Sequence, residues 1–260
     1  MASDKTIIIG NWKMNFNMQE ASLYLHKLAE NVKVRRSVEV ILAPTTLTLQ
    51  SLSMQINRRQ FKLAAQNFYW RDHGAFTGEV SARQLNGIVE YALIGHSERR
   101  HIFHETDKDI RNKVQAAVRN KIRPVLLIGE TAWEKSNGET EAVLQDQLVG
   151  GLLNLTSEEL ESVVIGYEPV WAIGTGDKAT PSDVVKAIRT IRNHVKHLYG
   201  KVAAENIPVL YGGSVDADSA ADYLSQPGVD GLVIGGASID LHAFTSIISK
   251  AHQINQEEKK

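Results

Sequence analysis

Short apolar runs recur along the chain at Thr6–Ile9, Val38–Ala43, Phe61–Ala65, Tyr91–Ile94, Val125–Ile128, Val163–Ile165, Pro208–Leu210 and Leu232–Ile234, eight in all. Near-continuous apolar runs of this length predict strands buried on both faces, because a half-exposed strand would alternate apolar with polar residues. Between the runs, apolar positions return at helical spacing, as in Asp107-Ile110-Val114-Ala117-Val118 and Ser182-Val185-Ile188-Ile191-Val195. Thr180-Pro181-Ser182-Asp183 marks the start of the second of these helices. A proline there loses only an N–H that the first turn leaves unpaired, and an acid favours the positive end of the helix dipole. Strands alternating with helices predict a parallel sheet. Eight such units predict an α/β fold closed as a (β/α)8 barrel of eight parallel strands, one domain over residues 1–260. An open doubly wound sheet uses the same alternation.

Composition supports the single domain without choosing its topology. The 260 residues match the ~250 of a typical barrel. No Pro/Ser-rich linker or low-complexity tract divides the chain, and its longest charge run, Glu257-Glu258-Lys259-Lys260, is expected to be a frayed end. A formal net charge of -1 gives no electrostatic footprint for nucleic acid or an anionic membrane, so neither is expected as a partner. The absence of cysteine excludes disulfides, thiolate metal sites and cysteine nucleophiles. Ile7-Ile8-Ile9 after Lys5 is too short for a signal peptide, and no segment is long and apolar enough to span a bilayer. A cytoplasmic location is expected.

The residues that close each run carry the candidate chemistry. Asn11 follows Ile9-Gly10, Gln66-Asn67 follow Ala65, His96 follows Gly95, Glu130 follows Gly129, Glu168 follows Tyr167, and Gly212-Gly213-Ser214 follow Tyr211. In a barrel these ends converge on one rim, where barrel active sites lie. The segment Gly166 to Gly176 sets Glu168 beside Pro169, which ends the strand, and then places Val170-Trp171-Ala172-Ile173 in a loop closed by Gly174 and Gly176. An apolar loop with a stiff start and a permissive end reads as a lid over a base. Alternatively these residues are core and Glu168 a solvated strand end.

Gly212-Gly213-Ser214-Val215 and Gly235-Gly236-Ala237-Ser238 resemble a phosphate cup, since adjacent glycines let backbone N–H groups approach an anion. Two tight turns are the plainer alternative. No Gly-Lys-Ser/Thr follows, and Gly174-Thr175-Gly176 lacks the third glycine of a dinucleotide fingerprint, so neither a P-loop nor NAD is supported. Lys13 could hold a phosphate or a developing oxyanion, and His96 sits at a strand-to-helix turn. Gly95-x-Ser97-x-Arg99 lacks the closing glycine of a nucleophile elbow. The i, i+3 pairs His101/His104 and His194/His197 read as ordinary helix residues, not as metal ligands.

Taken together, Gly10-Asn11-Trp12-Lys13-Met14-Asn15, Gly95-His96-Ser97-Glu98-Arg99-Arg100, Gly166 to Gly176, Tyr211-Gly212-Gly213-Ser214-Val215 and Gly235-Gly236-Ala237-Ser238 resemble the triosephosphate isomerase family in order and spacing. Gln66-Asn67 followed by Gly74-Ala75-Phe76-Thr77-Gly78-Glu79 resembles that family's third loop, and the likeness covers nearly the whole chain. The resemblance implies reversible isomerisation of dihydroxyacetone phosphate and D-glyceraldehyde 3-phosphate, with no cofactor and no metal. It implies that Glu168 is the general base, that His96 polarises the carbonyl and shuttles protons, that Lys13 stabilises negative charge, and that Asn11 donates to a substrate oxygen. Glu98 would order the surroundings of Lys13 and His96. Phosphate would be held at Gly174, Ser214, Gly235 and Gly236. A neutral imidazole at a helix N-terminus and a water-excluding loop come with the resemblance as well. That loop, Val170 to Thr175, would close against Tyr211 and Ser214.

A homodimer is also implied, with Thr77 on the third loop reaching towards the partner's Lys13 region. Two positions and one segment depart from the family's habit. Leu127 stands where cysteine is frequent, Pro208 stands where arginine is frequent, which puts a local ion pair in doubt, and Tyr69-Trp70-Arg71-Asp72-His73 is individual to this chain. The competing readings are another phosphosugar barrel, such as an aldolase in which Lys13 forms a Schiff base, and a barrel kept as a non-catalytic scaffold.

Overall fold

A computed structural model describes residues 5–33, 37–174 and 177–257. Its strands are β1 (Thr6–Asn11), β2 (Val38–Ala43), β3 (Phe61–Ala65), β4 (Tyr91–Ile94), β5 (Arg123–Ile128), β6 (Val164–Tyr167), β7 (Val209–Tyr211) and β8 (Gly231–Ile234). Each pairs in parallel with its sequence neighbours, and β1 pairs with β8, so the sheet closes. The open doubly wound alternative is thereby excluded. Helices cover the outside between strands, the longest being Pro181–Tyr199 and Leu241–Glu257.

Alternation along the strands sorts side chains into two cores. Ile7, Ile9, Ile41, Ala43, Ala64, Tyr91, Leu93, Val125, Leu127, Val164, Leu210 and Val233 fill the barrel interior. The residues between them, including Ile8, Leu42, Leu63, Ala92, Leu126, Ile165, Tyr211 and Leu232, pack outward under the helices. At the end of the barrel opposite the strand C-termini, polar side chains replace apolar filling: Tyr91 donates to Glu39, and Arg123 donates to Tyr91.

Several boundaries differ from the sequence reading. β6 begins at Val164 and runs to Tyr167, while Val163 is fully buried just before it. β5 starts two residues early, at Arg123-Pro124. In the helix Pro181–Tyr199 it is Val184, not Val185, that is buried together with Ile188, Ile191 and Val195. His104 is not a helix residue: the helix Ser97–His101 ends before it, and its φ is 55°. Beside Pro208, Arg192 pairs with Asp230 at 2.7 Å, so an ion pair stands where the missing arginine had put one in doubt. Of the expected frayed end, Glu257 closes the last helix, and residues 258–260 lie outside the described residues.

Candidate active site

The inward positions of each strand continue past the barrel core into its mouth. On β1, Ile7 and Ile9 lead to Asn11, which is buried. Two residues on, Lys13 adopts a φ of 52°, a left-handed conformation that costs a non-glycine residue of order 1 kcal/mol. It is held there from two sides. Lys13 N donates to Asn11 Oδ1 at 3.2 Å, and Gln66 Nε2 donates to the carbonyls of Lys13 and Ala43, each at 2.8 Å. The Lys13 ammonium meets Glu98 Oε1 at 2.5 Å.

On β4 the alternation is switched by one glycine. Tyr91 and Leu93 face inward, so Gly95 would be next. Its φ of 78° instead turns its open side outward, towards Arg100 and Ile110. The inward position passes to His96. That residue caps the helix Ser97–His101, its Nδ1 accepting from Glu98 N at 3.2 Å. With Nδ1 accepting, the proton of a neutral ring sits on Nε2. Nε2 faces Glu168 Oε1 at 3.5 Å.

On β6, Val164 and Gly166 lead to Glu168, whose side chain is only 3% exposed. Its main-chain N–H continues the ladder to Ile128 O at 2.7 Å, and its Oε2 lies 3.5 Å from the Ser97 amide. Burial raises the carboxyl above the ordinary glutamate range, against the opposing pull of His96, the Ser97 N–H and Lys13. A buried, proton-hungry carboxylate beside an imidazole can take a proton from carbon while the imidazole donates to a neighbouring oxygen.

Glycine turns complete the mouth. Gly212, Gly213, Ser214, Gly235 and Gly236 join Asn11, Lys13, His96, Glu168, Ile173 and Gly174 around a cleft of about 320 Å³. A Cβ on Gly236 would meet nothing, and one on Gly235 would lie 3.6 Å from Lys13 Cε, so backbone is open to the cleft beside an ammonium. Gly174 itself has a φ of 70°. Thr175 and Gly176, the far end of the expected lid, lie outside the described residues.

Three supporting groups have roles that the sequence reading did not assign. Gln66 was noted only as part of a motif, yet it holds the strained Lys13 backbone. Glu130, noted as a strand-end acid, is 1% exposed and accepts from Tyr167 OH at 3.1 Å and Trp171 Nε1 at 2.9 Å. Its carbonyl also accepts from Val170 N at 3.0 Å, so it secures the start of the apolar loop. The signal for it was present: an acid on one strand end and two aromatic donors flanking the next. Asp216 lines the cleft and pairs with Lys178 at 2.5 Å, an ion pair that holds its carboxyl well below the usual range. Nothing in local spacing joins those two residues. Thr77 is exposed on the third loop and does not line the cleft. Among the described residues no three potential ligand side chains gather as a metal site.

Fold and rim together define the class: a (β/α)8-barrel enzyme whose chemistry-bearing side chains stand at the C-terminal ends of the strands. A sequence model of the triosephosphate isomerase family matches residues 6–251. The triosephosphate isomerase of Clostridium tetani is 41% identical over 246 residues, 94% of this chain and 96% of that protein. That of Chloroherpeton thalassium is 42% identical, covering 95% and 99% respectively. The chain belongs to the triosephosphate isomerase family.

Proposed function

We propose that this protein interconverts dihydroxyacetone phosphate and D-glyceraldehyde 3-phosphate by proton transfer through an enediolate. The observation that carries the reading is the facing pair of Glu168 and His96 in a cleft that also holds Lys13 and the glycine turns. Membership of an isomerase family supports it independently.

In this mechanism Glu168 removes a proton from the carbon next to the carbonyl. His96 Nε2–H gives its proton to the former carbonyl oxygen and takes in exchange the proton that the substrate hydroxyl loses, while Asn11 donates to a substrate oxygen, so the imidazole also ends the cycle neutral. Lys13 offsets the negative charge of enediolate and phosphate. Glu168 then delivers its proton to the neighbouring carbon, so the base leaves the cycle as it entered. Gly174, Ser214, Gly235 and Gly236 hold the phosphate, and the loop from Val170 covers the intermediate against phosphate elimination. No step calls for a metal or cofactor.

The active form is a homodimer of single barrels, each barrel occupying residues 1–260. Met14, beside Lys13, is 94% exposed, and Phe76, Ile102 and Phe103 are exposed apolar residues, which supports a covered face. Thr77 extends from the third loop towards the partner. Among the described residues no helix is long and apolar enough to cross a membrane, which is compatible with the cytoplasmic location we assign.

A coupled assay for interconversion of the two triose phosphates is the direct test, with activity expected for the isolated protein. A borohydride-stable adduct at Lys13 in the presence of substrate would instead point to aldolase chemistry. Sedimentation equilibrium should return twice the chain mass, and a monomer would remove the dimer.

A further inference from the structure

The three residues after Leu127 run alongside the catalytic segment one for one. Ile128 O accepts from Glu168 N at 2.7 Å, and Glu130 O accepts from Val170 N at 3.0 Å. Between them, a Cβ on Gly129 would overlap the Glu168 carbonyl, so the two main chains touch at that point. Gly129 is thus the surface against which the Glu168 backbone rests.

Gly129 is itself fixed from behind. Gln147, on the helix Thr140–Leu152, accepts from Gly129 N with Oε1 at 2.8 Å and donates to Gly129 O with Nε2 at 3.2 Å. One side-chain amide therefore satisfies both main-chain groups of the residue under the base. The helix reaches this position because Gly151, one turn along, lets it approach β5: a Cβ there would lie 2.7 Å from Leu126 Cδ2. Gln147 does not line the cleft.

We propose that Gln147 is a positioning residue for proton transfer, acting through Gly129 to set the Glu168 backbone and hence the reach of its carboxylate. The inference rests on Glu168 being the base in the function proposed above. Misplacing a reacting group by 1 Å can cost on the order of a hundredfold in rate, so a smaller shift transmitted through one glycine should cost about tenfold.

The test is a cycle of wild type, Gln147→Met, Glu168→Asp and the double variant, assayed for triose phosphate interconversion with inorganic phosphate as competitive inhibitor. Gln147→Met should lower kcat about tenfold while KM and the phosphate inhibition constant stay within about twofold. In the Glu168→Asp background, where the carboxylate is already withdrawn, the same substitution should cost much less. Gln147→Glu keeps the acceptor for Gly129 N–H and should retain more of kcat than Gln147→Met. Should Gln147→Met not fold, Gln147→Glu carries the same cycle, with a smaller loss of the same form. An active wild type whose Gln147 variants keep kcat, or lose it equally in both backgrounds, overturns this inference alone. A wild type that does not interconvert the two triose phosphates overturns the functional reading and this inference with it.

Discussion

Leu127 and Gly166 are partners across the β5–β6 ladder inside the barrel, one inward step below Glu168. A Cβ on Gly166 would overlap Leu127 Cδ2, yet its next neighbours, Val233 Cγ2 and Leu127 Cγ, would stand at an ordinary 3.7 and 3.8 Å. One methyl group therefore holds the whole conflict. Gly166→Ala should destabilise by about 1–3 kcal/mol through overpacking, less about 0.4–1 kcal/mol from the reduced entropy of the unfolded chain. Leu127→Ala empties a fully buried site and should cost about 2–5 kcal/mol.

In the double variant the conflicting methyl is gone and the new one occupies vacated space, regaining about 0.8 kcal/mol of burial. The pair should then be no less stable than Leu127→Ala alone, and the relieved overpacking together with the regained burial places the coupling at about 2–4 kcal/mol. Urea unfolding of the four proteins at one fixed protein concentration measures it, and Tm should follow at about 2–4 °C per kcal/mol. Turnover per folded molecule should be retained in Leu127→Ala, since Leu127 touches packing and not the cleft. Losses that add to within about 0.5 kcal/mol would refute the idea that position 166 is glycine for the sake of Leu127.

Glu168→Asp, which withdraws the carboxylate by about 1 Å, should lower turnover on the order of a hundredfold and leave inhibition by inorganic phosphate nearly unchanged; an unaltered rate would remove Glu168 as the base. The raised Glu168 pKa also fixes two pH trends. Between the ordinary glutamate range and its higher folded value, native Glu168 binds a proton that the unfolded chain has lost, so stability falls as pH rises through that window and stays lowered above it. Glu168→Gln should accordingly gain stability over the parent as pH rises above the ordinary glutamate range, with the gain fading as pH falls back to it; a Tm difference that grows as pH falls contradicts this. Because the base must be ionised, the acid limb of kcat/KM should lie above the usual carboxylate range. Glu130→Gln keeps one oxygen for Tyr167 OH and Trp171 Nε1 but removes the charge and replaces Oε2, which also accepts from Tyr167 OH, with an NH2 donor. It should loosen the start of the loop and increase methylglyoxal released per turnover, and no increase would separate Glu130 from loop control.

Much of this arrangement is legible in the sequence, and the reason is period. Buried parallel strands advertise themselves as apolar runs, and β2, β3 and β4 match their runs residue for residue. Glu168, His96, Lys13 and the glycine turns, which line one cleft, stand out in the sequence because each lies within a few residues of a strand end. What stayed hidden depends on contacts between residues far apart in the chain. Lys178 and Asp216, Gln66 and the Lys13 carbonyl, and Gln147 and Gly129 are separated by 38, 53 and 18 residues. No local pattern encodes these pairings. The burial of Val184 in place of Val185 is hidden for a related reason: both continue a helical stripe, and only the seating of that helix on the barrel decides which is covered.

The glycines around Glu168 connect the shape of the mouth to its chemistry. Gly212 on the β7 side could carry a Cβ only 2.8 Å from Glu168 Cγ, and Gly129 on the β5 side could not carry one without striking the Glu168 carbonyl. Neither glycine has a positive φ, so conformational freedom does not account for them. Both are small because the acid between them needs the space: one neighbour clears the side chain, the other lets the main chain sit deep enough to be buried. Burial in turn lifts the carboxyl's proton affinity, which a base must have to take a proton from carbon. The strand pattern therefore delivers a carboxylate to the rim, and the two flanking glycines turn that position into a site for a base.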